Sequence, residues 1–273
     1  MPFENPEAEW EALLTGHHPG MLQLRRHFRS LPSSPRCKMC YAPFKGAGGI
    51  VLRPWFGPWE RNAQLCKSCM KGLAKFGVSG AEVEISMLFA DIRGSTGLAE
   101  RMRPVEFTSV LSAFYRIAAG TITDRDGVVD KFVGDEAIGL FIPGFTGPDH
   151  AAKAIAAGRS MLEAVARPDA SPMGAIPVGA GIHTGVAYVG TLGSSEAISD
   201  FTALGDPVNT TARLASLAAA GELLISDDAA KAGGLDRSSI TPTSVGVRGR
   251  KAPLDVFSVR VAAPGPRVDA AAS

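Results

Sequence analysis

The segment Val83–Thr96, "VEISMLFADIRGST", decides how this chain is read. Val83, Ile85, Met87 and Phe89 alternate with Glu84, Ser86, Leu88 and Ala90, a strand period in which both faces turn apolar toward the end. The strand then stops at Asp91. Gly94 loosens the backbone, and Ser95 or Thr96 can cap a helix that follows. A carboxylate at the carboxyl end of a buried strand, beside a helix N-terminus, suits phosphate chemistry. An aspartate that only caps a turn gives the same pattern, so the rest of the chain must separate the two.

The 273 residues are 45% hydrophobic and 20% charged, the composition of a soluble globular protein with room for a medium domain and a small one. A net charge of +1 gives no global electrostatic case for nucleic acid or membrane as a partner. Residues 1–83 carry +5 and the remainder −4, a bias that a solvated surface explains. No apolar run approaches the roughly 18 residues of a membrane span, and "MPFENPEAEW" lacks the features of a signal peptide, so a cytoplasmic location is expected.

All four cysteines fall in one window, Cys37 and Cys40 in "CKMC" and Cys66 and Cys69 in "CKSC", with 25 residues between the pairs. Each pair can bring two thiolates to one ion, and the two knuckles together close a tetrahedral sulfur shell. A reducing compartment disfavours disulfides. Structural zinc is the expected metal, because four thiolates leave no open position; an iron–sulfur cluster satisfies the same ligand chemistry. The intervening "KGAGGIVLRPWFGPW" suits a short hairpin, and "CKSCMKGLAKF" suits a helix with ligands in its first turn. Knuckle, hairpin, then knuckle and helix resembles a treble-clef zinc finger. His17 and His18 sit in a Gly/Pro turn and read as exposed.

Residues 1–32 form a helical segment, two short amphipathic helices around His-His-Pro-Gly, and residues 33–80 the cysteine module. "FGVSGAEVE" is a joint, after which residues 84–261 read as mixed α/β. Pro104 opens a long helix and Gly127 ends it. "VVDKFV" and "EAIGLFI" are strands joined by a Gly134-Asp135 hairpin turn, and "DHAAKAIAAGRSMLEAVA" is a second long helix. "IPVGAGIHTGVAYVGTLG" reads as two strands around His183-Thr184-Gly185, and "FTALGDPVNTTARLASLA" turns from strand to helix near Asp206. Residues 262–273 have nothing to bury and are expected to be disordered.

Asp91 thus ends a strand and Asp135 tips a hairpin. If those strands are sheet neighbours, the acids converge and can hold two Mg²⁺ ions for phosphoryl displacement. Taken in order, "LFADIRGST", "DKFVGDEAIGLF", "GIHTGVAYVG", "FTALGDPVNTTARL" and "VRGRKAPLDVFSV" resemble the catalytic domain of class III nucleotidyl cyclases, bacterial type. That resemblance implies an α+β, ferredoxin-like domain, a central and mostly antiparallel sheet with flanking helices, preceded here by the small four-cysteine module. It also implies cyclic AMP or cyclic GMP made from the triphosphate at the interface of a head-to-tail homodimer.

Carried over by position, the resemblance makes Asp91 and Asp135 ligands of two Mg²⁺ or Mn²⁺ ions, helped by the Ile92 carbonyl. Backbone N–H groups around Arg93, Gly94, Ser95 and Thr96 would cradle the outer phosphates. Asn209 would orient the ribose and Arg213 would meet charge at the α-phosphate; Arg248 and Arg250, with Lys251 beside them, match basic residues on the triphosphate. Lys131 and Thr202 match the family's purine-reading pair. A lysine can donate to adenine N1 and a threonine hydroxyl can accept from the N6 amine, whereas guanine-specific members usually carry an acid in place of the lysine. ATP is therefore the expected substrate. Thr202 stands where many relatives have Asp, which leaves room for some GTP, and Val186 stands where some carry a phosphate-touching arginine. The metal acids and the Lys131, Thr202, Asn209, Arg213 set lie on opposite halves of the shared site, so a monomer is expected to be inactive.

The leading expectation is a soluble adenylate cyclase regulated through its four-cysteine module. A silent nucleotide sensor of the same fold is one alternative, and a nucleic-acid or protein adaptor built on the metal module is another. "VGDEA" also resembles the GGDEF signature of diguanylate-forming enzymes, in which the Asn209/Arg213 helix has no place.

Overall fold

A computed structural model describes residues 5–31, 33–74, 80–194, 197–238, 241–246 and 253–261. The tail beyond 261 and the basic residues Arg248, Arg250 and Lys251 lie outside the described residues. Two helices open the chain, α1 (Pro6–Thr15) and α2 (Pro19–Arg29). Asn5 accepts from the Ala8 N–H to cap the first, Gly16 ends it in the left-handed region, and His18 Nδ1 accepts from Met21 N–H to start the second. His18 also pairs with Glu9 at 3.0 Å, which gives it a structural task.

The cysteine module follows, with α3 (Gly46–Phe56) and α4 (Lys67–Ala74). The hairpin expected between the knuckles is not formed. The chain there is the helix α3, and the antiparallel pairing is reduced to isolated bridges, Arg36 with Pro43 and Pro58 with Cys66, one at each knuckle. "GAGGIVLRPWF" can coil because its glycines lie in the first turn, where helical hydrogen bonds are fewest; the sequence reading gave those glycines too much weight as hairpin formers.

The remaining elements form a mixed sheet with helices on it. They are β1 (Gly80–Ile92), α5 (Ser95–Arg101), α6 (Pro104–Thr123), β2 (Val128–Val133), β3 (Glu136–Phe141), α7 (Pro143–Thr146), α8 (His150–Val165), β4 (Val178–Ser194), β5 (Ala197–Leu204), α9 (Asp206–Leu217), β6 (Glu222–Ser226), α10 (Asp227–Ala232), β7 (Thr243–Val245) and β8 (Leu254–Arg260). The sheet order is β2-β3-β1-β4-β6-β8-β7, with β5 paired to the far half of β4. Every pairing is antiparallel except β4 with β6. Two expectations need correction. β1 starts at Gly80, inside the stretch read as a joint, and β4 is one strand of 17 residues where two were expected. His183-Thr184-Gly185 does not turn because the strand is paired through it, Met87 facing His183 and Ser86 facing Thr184.

β1 is buried on both faces, as its run of apolar residues requires. Ile85, Met87 and Phe89 point into a core shared with Trp10, Leu13, Leu14 and the four cysteines. Leu88, Ala90 and Ile92 point into the opposite core, under Phe114 and Ile122 of α6 and Met161 and Leu162 of α8. The N-terminal helices and the cysteine module thus cover one sheet face, and the long helices cover the other. Among the described residues no helix is long and apolar enough to cross a membrane.

Candidate functional site

The two strand-end acids do converge. β1 and β3 are sheet neighbours with Asp91 opposite Glu136, and the Ile92 N–H donates to the Asp135 carbonyl at 3.2 Å. The side chains of Asp91 and Asp135 lie close enough to perturb each other's ionisation, and Ser95 lies close enough to perturb that of Asp135. Burial, then Asp135, pushes the Asp91 carboxyl up to about 6, with Arg93 pulling it back. Against its own burial, the polar Ser95 side chain and the Arg93 charge hold Asp135 below the ordinary carboxylate range. Asp91 Oδ1 is buried and has no hydrogen-bond partner. A buried carboxylate oxygen without a donor, beside a second carboxylate, fits a divalent cation. Glu136 is a third acid here, raised by burial and then by Asp91 and Asp135. Sequence reading passed over it as a strand residue, although its place after Asp135 could have marked it.

The turn after β1 departs from expectation in two ways. Gly94 is the N-cap of α5, in the left-handed region at φ 69°, and neither Ser95 nor Thr96 caps the helix. The Arg93 N–H, expected among the phosphate-cradling amides, donates instead to the Pro177 carbonyl at 2.6 Å. The Arg93 side chain pairs with Asp91 Oδ2 and reaches the Ser216 carbonyl at the end of α9 at 2.8 Å. Arg93 therefore fastens this turn, leaving Gly94, Ser95 and Thr96 at the start of α5.

A second cluster joins β2 to β5. Lys131 Nζ lies 2.8 Å from Asp200 Oδ2, and the Thr202 hydroxyl donates to Asp130 Oδ2 at 2.9 Å. Lys131 and Thr202, which are far apart in the chain, are thus brought into one group. Asp130 and Asp200 belong to it and were missed, because acids beside a lysine and a threonine on polar strands read as solvated. Asn209 is exposed and Arg213 half-buried on the outer face of α9, whose inner face buries Thr210, Thr211, Leu214 and Ala215. Val133, Val186, Leu204 and Leu217 are exposed apolar residues near these positions.

The four cysteines also meet. Their Sγ atoms all lie within 4.8 Å of one another, and all four residues are buried. Cys40 and Cys66 Sγ are 3.6 Å apart, near the edge of about 3.8 Å expected for a tetrahedron with Zn–S bonds of about 2.3 Å. The backbone N–H groups of Cys66 and Cys69 donate to the Cys37 and Cys66 sulfurs, each at 3.3 Å, as thiolates require. Burial opposes ionisation of Cys37, but hydrogen bonds from the other three cysteines hold its pKa well below that of a free thiol. Their contacts with Cys37 push Cys40 and Cys69 upward. One negative sulfur suppresses the next, and a divalent cation at the centre relieves that repulsion.

The module is bonded to the strand of the second cluster. Asn62 Nδ2 donates to the Val129 carbonyl at 2.9 Å; Gln64 Nε2 donates to the same carbonyl, and Gln64 Oε1 accepts from the Val129 N–H, both at 3.2 Å. Lys38, inside the first knuckle, donates to the Thr123 carbonyl of α6 at 2.7 Å. Trp10 stacks on Phe201, the residue before Thr202, with ring centroids 6.4 Å apart.

The sequence pattern described as the adenylate and guanylate cyclase catalytic domain matches residues 79–258. The chain is 32% identical over 153 residues to an adenylate cyclase of Anabaena cylindrica, covering 54% of this chain and 30% of that protein. It is 28% identical over 182 residues to adenylate cyclase 1 of Rhizobium meliloti (strain 1021), covering 64% of this chain and 27% of that one. The chain therefore spans under a third of the length of these curated relatives. Among solved structures, the guanylyl cyclase Cya2 superimposes with a TM-score of 0.61 at 30% identity, over 69% of this chain and 97% of that one. The adenylyl cyclase CyaB from P. aeruginosa does so at 0.58 and 26%, over 67% and 96%. With that pattern spanning residues 79–258 and a fold shared along nearly the whole of two solved cyclases, this chain belongs to the adenylate and guanylate cyclase catalytic-domain family.

Proposed function

We propose that the chain is an adenylate cyclase, converting ATP to 3′,5′-cyclic AMP and pyrophosphate at composite sites of a head-to-tail homodimer in the cytoplasm. Members of the family use divalent metal ions, and similarity extends to adenylyl and guanylyl cyclases alike, so base choice rests on the residues. The observation that carries the reading is the pairing of Lys131 and Thr202 in one cluster, a donor and an acceptor matched to the N1 and N6 edge of adenine. Asp91, Asp135 and the Ile92 carbonyl would hold two Mg²⁺ or Mn²⁺ ions, which supply charge neutralisation and a more acidic 3′-hydroxyl when bound. Gly94, Ser95 and Thr96 at the start of α5 would receive the outer phosphates. From the other protomer, Lys131 and Thr202 would fix the base and Asn209 the ribose, so that O3′ lines up with the α-phosphorus. The O3′–P bond forms as the bond to pyrophosphate breaks, and Arg213 would meet the charge that gathers on the α-phosphate. The exposed Val133, Val186, Leu204 and Leu217 support a second copy covering this face.

The chain divides, in this reading, into a helical segment (1–32), a four-cysteine module (33–80) and the catalytic domain (84–261). A single zinc ion suits the cysteines better than an iron–sulfur cluster, which spreads the four thiolates over two or four irons and so sets sulfurs on different irons farther apart. The module would regulate the enzyme through its bonds to Val129, and the helical segment through the stack of Trp10 on Phe201, both contacts lying next to base-reading residues.

Purified chain supplied with ATP or GTP and Mn²⁺, followed by product analysis, tests the reading. Cyclic AMP from ATP is expected, with less cyclic GMP from GTP. Preference for GTP refutes the base assignment, and no cyclic product from either nucleotide refutes the enzyme.

A further inference from the structure

Asp130 occupies an irregular place. The β2–β3 register pairs Val129 with Gly139 and Lys131 with Ile138, so Asp130 is the extra residue of a β-bulge. In a regular strand, neighbours point to opposite faces. The bulge lets both Asp130 and Lys131 reach β5, the first meeting Thr202 and the second Asp200. The Asp130 side chain is only 5% exposed and Thr202 only 3%. Among the described residues, Asp130 Oδ1 is buried without a partner, and the Thr202 hydroxyl is the only uncharged donor to this carboxylate. The Lys131 ammonium stands farther off, at 3.7 Å.

A free threonine hydroxyl has one proton and two lone pairs, so it can accept from an amine or donate to a carbonyl with equal ease. Such a group cannot tell the 6-amino edge of adenine from the 6-oxo edge of guanine. A carboxylate only accepts, and a buried one left without its donor is costly. We propose that Asp130 is a specificity-determining residue: it accepts a hydrogen bond from the Thr202 hydroxyl, turns Thr202 into an obligate acceptor toward the base, and so admits a 6-aminopurine nucleotide while rejecting a 6-oxopurine one. The acid missing from position 202 is thereby replaced from β2. Burial raises Asp130 to about 6 against the pull of Lys131 and Thr202, so at neutral pH the carboxylate is ionised and the polarity of the hydroxyl is set. This inference rests on the reading of Lys131 and Thr202 as base-contacting residues.

The test is Asp130→Asn, which keeps the shape but can donate to Thr202 and free the hydroxyl proton for a 6-oxo group. The ratio of kcat/KM for ATP over GTP, and for ATP over inosine triphosphate, is expected to fall about tenfold or more, the size of one buried hydrogen bond. In a Thr202→Val background the same change should leave the ratio unmoved, since there is no hydroxyl to orient. Equal losses for all nucleotides in Asp130→Asn would show a merely structural role and overturn the proposal. Wild-type protein alone also tests it: inosine triphosphate used as well as ATP refutes an obligate acceptor, even if the variant does not fold. A wild-type chain that cyclises neither ATP nor GTP overturns the cyclase reading and this proposal with it. A working cyclase whose ratios ignore Asp130→Asn overturns this proposal alone.

Discussion

Gly181→Ala should injure only one half of the active site, although residue 181 touches no nucleotide group. Gly181 lies on β4 between Phe89 of β1 and Leu224 of β6, so the strand is held from both sides. A methyl there would lie 2.7 Å from both the backbone carbon and Cβ of Leu214, and nearer still to the Ala215 nitrogen. Carbon contacts relax only at about 3.5–4.0 Å, so α9 must retreat by roughly 1 Å. Overpacking of this kind costs about 1–3 kcal/mol of stability, which a folded domain survives. Because α9 carries Asn209 and Arg213, a shift of roughly 1 Å should lower kcat/KM about 10²-fold, or about 2.7 kcal/mol. The assay is cyclic AMP formation, first by the variant alone and then after mixing with an equal amount of Asp91→Ala chain. In a heterodimer, one site takes its metal half from the Gly181→Ala protomer and its α9 half from the other, and both are sound. Random pairing should recover about a quarter of wild-type activity. Activity within twofold of wild type, or no recovery on mixing, would refute the reasoning.

Asp91→Ala and Asp135→Ala should each abolish turnover without loss of thermal stability; substantial residual activity in either removes the two-metal assignment. Cys66→Ser should lower bound zinc, measured by elemental analysis, and disturb nucleotide affinity more than kcat at saturation, whereas unchanged metal content counts against the four-cysteine site. Gln64→Ala, which keeps the cysteines but loses three neutral side-chain hydrogen bonds, two to Val129 and one to Asn62, worth about 0.5–1.5 kcal/mol each, should raise KM for ATP with little change in kcat. As pH falls through about 6, Asp130 gains a proton and can donate to Thr202, so selectivity for ATP over GTP should decline below that pH and stay flat in Asp130→Asn. Lys131, kept protonated by Asp200 and Asp130 against its own burial, remains charged across this range, and Asp200 is the other acid facing the cluster.

Much of the fold was legible because β1, β2, β3, α6 and α8 carry strong local patterns: Ile85, Met87 and Phe89 at period two, Gly134 and Asp135 at a turn, Pro104 at a helix start. The acid pair followed from those elements, since register alone puts Asp91 next to Asp135. Errors came where long-range pairing overrode local composition. Gly185 reads as a turn but lies in β4, opposite Ile85, with its absent side chain making room for Pro207 at the start of α9. Arg93 reads as a phosphate contact but is held by Pro177 and Ser216, partners that no local window contains. Asp130 and Asp200 were hidden for a related reason. A one-residue bulge has no sequence pattern of its own, and without it Asp130 would face away from Thr202.

The bond between Gln64 and Val129 has a thermodynamic consequence. Val129 is held by Gln64 of the cysteine module and belongs to the strand that presents Asp130 and Lys131. If filling the cysteine centre tightens nucleotide binding by some factor, nucleotide must tighten the metal by that same factor, because the two occupancies share one free-energy cycle. The cell's triphosphate pool would then help decide whether the ion stays. A chelator would find the metal easier to extract from an enzyme starved of substrate than from one at work.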